Sequence, residues 1–256
     1  EGQAALSVVS GGRTAQLGAE IRYLRATRSG QATVTFGNVI PAALTRISPV
    51  LAPLEAIESP VSGRLEADFD SRFQPTGGRF SLTSVDTRLL LPPLWTAPFS
   101  AARASLSGSV DLAKRRLTLD DFTIDLGGPK ISLSGQVDAA GDAIDVMTVG
   151  AVTGMPVDLL DSLWPPGVPS GLHDWIAANL HDGVIDRTEF SLQARAPLSN
   201  PQAVTLVAAD GTMQARDLTV TYFKGLPPIT GLNAAASFNQ STMRIATAGG
   251  ALQDIV

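Results

Sequence analysis

Residues 105–111 read Ser-Leu-Ser-Gly-Ser-Val-Asp, and residues 132–138 read Ser-Leu-Ser-Gly-Gln-Val-Asp. The two segments share six of seven residues at an offset of 27 positions, and Gly-Arg-Leu-Glu-Ala-Asp at 63–68 is a weaker third copy. Apolar and polar residues alternate in each copy, which is typical of a β-strand with one apolar face. A period of this length accommodates two strands and their turns, so we predict that the repeated unit is a β-hairpin.

The same alternation continues along most of the chain. Its phase slips at Asp120-Asp121, which predicts a β-bulge in the strand that contains them. Clusters of turn-forming residues separate the alternating segments. They are Gly127-Gly128-Pro129, Ala140-Gly141-Asp142, Asp210-Gly211 and Gly249-Gly250. This pattern predicts an antiparallel meander with one polar face.

Two segments have apolar residues at helical spacing instead. The better one is residues 170–180, with Ser170 as the predicted N-cap, Gly183 as the stop signal and Trp175 on the apolar side. A short turn is expected just before it, at 157–164. Residues 41–57 suit a short helix that Pro49 and Pro53 would shorten or kink.

The fold class predicted is therefore mainly β: an elongated, curved antiparallel sheet of repeated hairpins with one or two short helical segments. Three parts are expected. Residues 1–155 form a first sheet segment with a possible short helix near 41–57, residues 156–183 form a helical insertion, and residues 184–256 continue the sheet. The chain is expected to be a fragment of a longer protein, since its last residues resemble the start of a further strand.

Composition excludes several classes of function. The net charge of −5 provides no basic field for nucleic acid phosphates, and the absence of cysteine excludes disulfides, iron–sulfur clusters and thiol nucleophiles. The hydrophobic share is 44%, yet no uncharged stretch is both long and apolar enough to span a membrane. We expect no cofactor, no metal site and no nucleic acid partner.

The chemically suggestive residues have ordinary structural interpretations. His173 and His181 are poorly spaced to share a metal, and His173 beside Asp174 lacks a marked nucleophile. The remaining acidic residues fit the solvated side of strands or hairpin turns. These are Asp68, Asp70, Asp120, Asp121, Asp125, Asp138 and Asp142. Asn239-Gln240-Ser241 fits a glycosylation sequon, and Trp175 is expected in the core. We therefore predict no catalytic residue and no enzymatic activity.

The apolar face leaves two interpretations open. It could be the core of a closed β-sandwich, or it could be an open surface, half covered by helices, that binds an extended apolar ligand. Under the second interpretation the predicted lining comprises alternating apolar residues. They are Leu65, Phe69, Leu106, Val110, Leu133, Val137, Phe190, Leu192, Leu218, Val220 and Phe238.

Three features together resemble the AsmA-like proteins of Gram-negative envelopes, particularly the YhdP-like branch, which is related to TamB. They are the Leu-Ser-Gly-x-Val-Asp hairpin repeat, the block from Met155-Pro156 through Trp164-Pro165 to Asp182-Gly183, and residues 218–231. The resemblance covers roughly residues 63–250. One departure is His173-Asp174, where the family often has a basic residue shortly before the helix tryptophan.

The resemblance implies a periplasmic β-groove protein that an N-terminal helix, absent from this sequence, anchors in the inner membrane. It implies binding of phospholipid acyl chains and their transfer between the inner and outer membranes, which this chain would reach through parts missing from it. The alternative is a structural or interaction module for outer-membrane assembly or adhesion, with a closed sandwich core and no lipid path.

Overall fold

The computed structural model describes residues 2–10, 13–26, 28–45, 55, 57, 59–89, 99–163, 170–201, 203–223 and 225–252. The strands are β1 (Gly2–Ser10), β2 (Arg13–Leu24), β3 (Ser29–Val39), β4 (Val61–Phe69), β5 (Pro75–Leu89), β6 (Phe99–Asp111), β7 (Arg116–Asp125), β8 (Lys130–Ala140), β9 (Ala143–Pro156), β10 (Leu180–His181), β11 (Val184–Pro197), β12 (Thr205–Val220), β13 (Ile229–Asn239) and β14 (Met243–Leu252). The helices are α1 (Pro41–Leu44), α2 (Leu160–Leu163), which a 3-10 turn at Val157–Leu159 precedes, and α3 (Ser170–Asn179).

These strands form a single antiparallel sheet that does not close. Strands β1 to β9 pair in sequence order, β9 then pairs with β11, and the order continues through β12 and β13 to β14. The two-residue strand β10 lies off this path and pairs with β12. The fold is therefore mainly β with few short helices, as the alternating pattern predicted. The sheet also continues across the helical segment, because β9 and β11 are direct neighbours.

The internal repeat falls on alternate strands of the meander. Its copies at 63–68, 105–111 and 132–138 lie in β4, β6 and β8. The repeated unit is thus one strand up and one strand down, which confirms the hairpin prediction. Each added hairpin lengthens the sheet and keeps its apolar side on the same face.

The predicted β-bulge is present. Asp121 lies opposite Ser107 and Leu119 lies opposite Gly108, so the intervening Asp120 is the extra residue of β7. Two of the turns are also confirmed. Residues 126–129 connect β7 to β8, with a hydrogen bond from Leu126 N–H to the Pro129 carbonyl, and residues 141–142 connect β8 to β9.

The other two predicted turns are wrong. Asp210-Gly211 lies inside β12, where Gly211 leaves room for the Phe238 ring of the neighbouring strand. Gly249-Gly250 lies inside β14, where φ is 75° and 92° and one pair of the ladder with β13 is missing, although the register is the same on both sides. In neither place do the glycines reverse the chain.

The helical predictions are confirmed with shifted boundaries. The expected short turn is the 3-10 turn and α2. Helix α3 begins at Ser170, the predicted N-cap, and residues 164–169 before it lie outside the described part. It ends at Asn179, four residues before Gly183, because Leu180 and His181 leave the helix to pair with β12. Of the expected helix at 41–57, only α1 is seen, and 46–54 lie outside the described residues.

Half of the buried hydrophobic residues of the described part form one cluster beside the helical segment. The buried cluster comprises Met155, Val157, Ile185, Ala215 and Leu218. Leu160, Leu163 and Leu180 of the helical segment pack against it. Elsewhere the substantial contacts between described strands are all between hydrogen-bonded neighbours, so no second sheet covers this one.

The accessible surface reflects this single-layer architecture. It is 16335 Å², whereas a compact monomer of this mass would expose about 10,700 Å². The described strands therefore do not form the closed sandwich that the sequence left open. Among the described residues, no helix has the length and apolar character needed to cross a bilayer.

Candidate functional site

One row of residues crosses the sheet from β2 to β14 and contains only apolar residues and glycine. Paired residues of neighbouring antiparallel strands point to the same face, so the strand register identifies the members of this row. In spatial order they are Leu17, Phe36, Gly63, Leu82, Leu106, Phe122, Leu133, Gly150, Phe190, Gly211, Phe238 and Met243. We call this set the apolar row and the side of the sheet on which it lies the apolar face.

Large side chains of the row lie over the glycines of neighbouring strands. A Cβ atom at Gly150 would lie 2.5 Å from Leu133 Cδ2 and 2.5 Å from Phe190 Cζ. The Phe238 ring covers Gly211 in the same way. Cross-strand pairs of an aromatic residue and glycine fill the gap that the missing side chain leaves, and they fix the register.

All eleven predicted lining residues lie on the apolar face. Nine of them belong to the row or to positions two, four or six residues from it on the same strand. Leu65 is 43% exposed, which shows that this part of the face is open. Leu218 and Val220 differ, since Leu218 is 4% exposed within the buried cluster and Val220 packs against it. These two residues therefore belong to the end that the helices cover.

Trp175 does not belong to the core as expected, because 45% of it is exposed. The side of helix α3 that packs against the rest of the molecule carries Ile176. This residue borders a small cavity together with Leu160 and Leu180. The exposed indole is one residue away from this packed side, on the outside of the helix.

The opposite face of the sheet, which we call the polar face, carries the cross-strand ion pairs and hydrogen bonds. Arg195 Nε donates to Asp145 Oδ1 at 2.6 Å, and these two residues are direct partners of β11 and β9. This hydrogen bond lowers the pKa of the Asp145 carboxyl below its ordinary value. Gln31 donates to Asp68 across β3 and β4 at 3.0 Å. Both pairs join neighbouring strands on the side away from the apolar row.

The suggestive carboxylates have structural partners. Asp70 accepts backbone N–H groups of Arg72 and Gln74 in the β4–β5 turn, and these bonds lower its pKa. Asp121 accepts the hydroxyls of Ser105 and Thr123 at 2.9 and 2.8 Å, next to the bulge. Further carboxylates pair with an arginine or stabilise a turn: Asp138 with Arg116, and Asp125 with Gly127 N–H.

No metal or catalytic arrangement is seen in the part of the chain that the structure describes. No group of three or more His, Asp or Glu residues there could hold a metal ion. His181 is exposed on β10, and the side chain of His173 lies outside what is described. Asn239 of the sequon accepts hydrogen bonds from Ser241 and Thr242 and so organises the β13–β14 turn.

An open depression of about 820 Å³ is lined by strands β7 to β14 other than β10. Its lining includes five members of the apolar row, and three of them are predicted lining residues: Leu133, Phe190 and Phe238. Residues that flank the row, including Ser132, Glu189, Thr212 and Arg244, supply most of the remainder. The depression therefore brings together residues from seven strands of the sheet.

Comparisons with family models, with curated proteins and with solved structures found no match for this chain. The described strands form an open, single-layer antiparallel sheet. One side is a continuous apolar face, and the other is a polar face with ion pairs between neighbouring strands.

Proposed function

We propose that the apolar face binds the acyl chains of phospholipids and passes them along the sheet without chemistry. The observation that carries this proposal is the apolar row, which crosses twelve strands without a polar side chain. A ligand for such a surface must be apolar and extended, because the row offers no hydrogen-bonding side chain. Acyl chains satisfy both requirements.

The dimensions of the row support transfer as well as binding. Eleven strand spacings of about 4.8 Å give a path of about 53 Å. The acyl region of one leaflet is about 15 Å deep, half of the hydrocarbon core of a bilayer. The row is thus several times longer than one acyl chain, and a bound lipid has equivalent positions along it. Each buried methylene contributes about 0.8 kcal/mol, so partial burial of a chain gives useful affinity.

The cellular setting of the proposal comes from the resemblance to AsmA-like proteins. On this resemblance, we propose a periplasmic location in a Gram-negative envelope, as part of a longer protein anchored in the inner membrane. The lipid path would then connect the inner and outer membranes. The absence of a covering sheet among the described strands favours this function over an assembly or adhesion module built on a sandwich core.

Adjacent positions of β8 provide a matched test, because Leu133 lies on the apolar face and Ser134 on the polar face. We expect native mass spectrometry of the purified chain to detect bound phospholipid. Leu133→Glu should remove most of it, and Ser134→Glu should retain it. A photo-crosslinker should label lipid from position 133 and not from position 134. Far-UV circular dichroism of each variant checks that the sheet is intact.

Two outcomes would contradict the proposal. One is purified protein without lipid that also takes none up from vesicles. The other is equal lipid labelling from positions 133 and 134, which would indicate non-specific adhesion. Either result would favour the structural or interaction module.

A further inference from the structure

Three successive hairpin turns lie side by side on one rim of the sheet. They follow β2, β4 and β6, and a meander places every second turn on the same rim. The Tyr23 ring stacks on the Phe73 ring with centroids 5.8 Å apart, which joins the first turn to the second. Leu112 N–H donates to the Thr76 carbonyl at 3.0 Å, which joins the third turn to the second. We call this continuous surface the hairpin rim.

Each turn of the hairpin rim exposes a large apolar side chain. Leu24 is 64% exposed, Phe73 is 69% exposed and Leu112 is 48% exposed. Phe73 and Leu112 lie in the turns, beyond the paired strands, and Leu24 is the last paired residue of β2. Exposed leucine and phenylalanine on adjacent tips form a surface that can enter the boundary between headgroups and acyl chains.

Basic residues flank these apolar tips. Arg25 and Arg28 lie in the first turn, Arg72 in the second, and Lys114 and Arg115 in the third, all exposed. No ion pair of Arg25 or Arg28 is seen among the described residues. The whole chain has a net charge of −5, and the helical segment at the opposite rim has acidic residues and no lysine or arginine. Asp70 lies beside Arg72 in the second turn, and Asp111 pairs with Lys114 at the third. The excess positive charge of the hairpin rim therefore comes from Arg25 and Arg28 of the first turn and Arg115 of the third.

We propose that the hairpin rim docks on the surface of a bilayer that contains anionic phospholipid. The arginines lie where they would contact anionic headgroups, while Leu24 and Phe73 enter the interface below them. The charge complementarity selects an anionic bilayer over a neutral one. This inference goes beyond lipid transfer, because docking requires the rim and not the apolar row.

The test measures partition of the full chain onto vesicles by flotation. One vesicle set is phosphatidylcholine alone and the other is phosphatidylcholine mixed with phosphatidylglycerol. We expect binding only to the mixed vesicles, and its loss at high salt. Removing two interfacial arginines with Arg25→Gln and Arg28→Gln should weaken partition about 30-fold. The matched control, Arg187→Gln with Arg244→Gln, removes two arginines of the polar face and should leave partition unchanged.

The apolar contribution is tested separately. Leu24→Ser with Phe73→Ser should reduce partition at least tenfold, whereas Phe223→Ser, at a 67% exposed residue of the opposite rim, should have no effect. Equal binding to neutral and mixed vesicles, no vesicle binding by the wild type, or equal losses in the control variants would each overturn the proposal. Co-purifying lipid should be the same in the rim variants and the wild type, so docking and acyl-chain binding fail independently.

Discussion

Gly150 lies where the side chains of Leu133 and Phe190 meet on the apolar row, so adding a methyl group there tests how closely the row is packed. The new Cβ atom would be 2.5 Å from Leu133 Cδ2, 2.5 Å from Phe190 Cζ and 2.9 Å from Phe190 Cε2. Carbon atoms in contact are about 3.5–4.0 Å apart, so both neighbours must move by about 1 Å. All three atoms belong to side chains, and the strand backbone can therefore remain in place while the phenyl ring is displaced.

The expected magnitude follows from two opposing effects. Overpacking costs about 1–3 kcal/mol, and replacing a strand glycine with alanine returns about 0.5–1 kcal/mol through the reduced freedom of the unfolded chain. Gly150→Ala should therefore lower the free energy of unfolding by about 1–2 kcal/mol. The melting temperature should fall by about 2–4 °C per kcal/mol. Urea unfolding and thermal melts measure the two quantities.

The chain supplies its own control at Gly128, where an added Cβ atom would meet nothing within 4 Å and φ is not positive. Gly128→Ala should leave the free energy of unfolding within about 0.5 kcal/mol of the wild type. Combining Gly150→Ala with Phe190→Leu removes the displaced ring, so the double variant should lose at least about 0.5 kcal/mol less than the sum of the single variants. Equal stability of Gly150→Ala and Gly128→Ala, or strict additivity, would refute close packing at this position.

Three further predictions concern the core, the polar face and the bulge. Met155→Ala should lower the free energy of unfolding, measured with urea, by about 2–5 kcal/mol, because Met155 is only 2% exposed. The control Met147→Ala, at a residue that is 48% exposed, should change that free energy by less than about 0.5 kcal/mol. NMR titration should show Asp145 with a pKa below the ordinary aspartate value, and Arg195→Gln should raise that pKa. Because the pKa is lower in the folded state, this pair stabilises the protein above the ordinary aspartate pKa and loses its contribution as the pH falls through the folded value. Asp121→Ala removes the acceptor of two hydroxyl hydrogen bonds, so it should lower the free energy of unfolding by about 1–3 kcal/mol. It should also speed amide hydrogen exchange in β6 and β7. Unchanged exchange in these strands would contradict the role of Asp121 at the bulge.

Period-two alternation predicts strands, their faces and local irregularities, because all three depend on neighbouring residues. The slip at Asp120-Asp121 is visible in the phase of Leu117, Leu119 and Phe122, and the bulge is found there. The eleven predicted lining residues share a face for the same reason. Each was identified from alternation within its own strand, and alternation decides on which side of a strand a residue lies.

The incorrect turns show where local reasoning fails. Asp210-Gly211 has the composition of a hairpin turn, and only the neighbouring strand shows that Gly211 receives the Phe238 ring. That contact joins residues that are 27 positions apart. The pairs of the apolar row and the adjacent tips of the hairpin rim likewise depend on register between strands. The depression is lined by residues from seven strands, so no short segment specifies it.

The strand order constrains how two copies of this sheet could join at their edges. Among the described residues, the path from β1 to β14 contains thirteen strands in strict alternation, so β1 and β14 run in the same direction. Copies stacked by simple translation, with their apolar faces aligned, would bring β14 of one against β1 of the next as a parallel pair. A two-fold axis perpendicular to the sheet, in contrast, brings β14 against β14 in antiparallel order and keeps both apolar faces on the same side. For the strands that the structure describes, antiparallel pairing of two copies edge to edge, with the apolar faces on one side, thus requires a two-fold axis and not a translation.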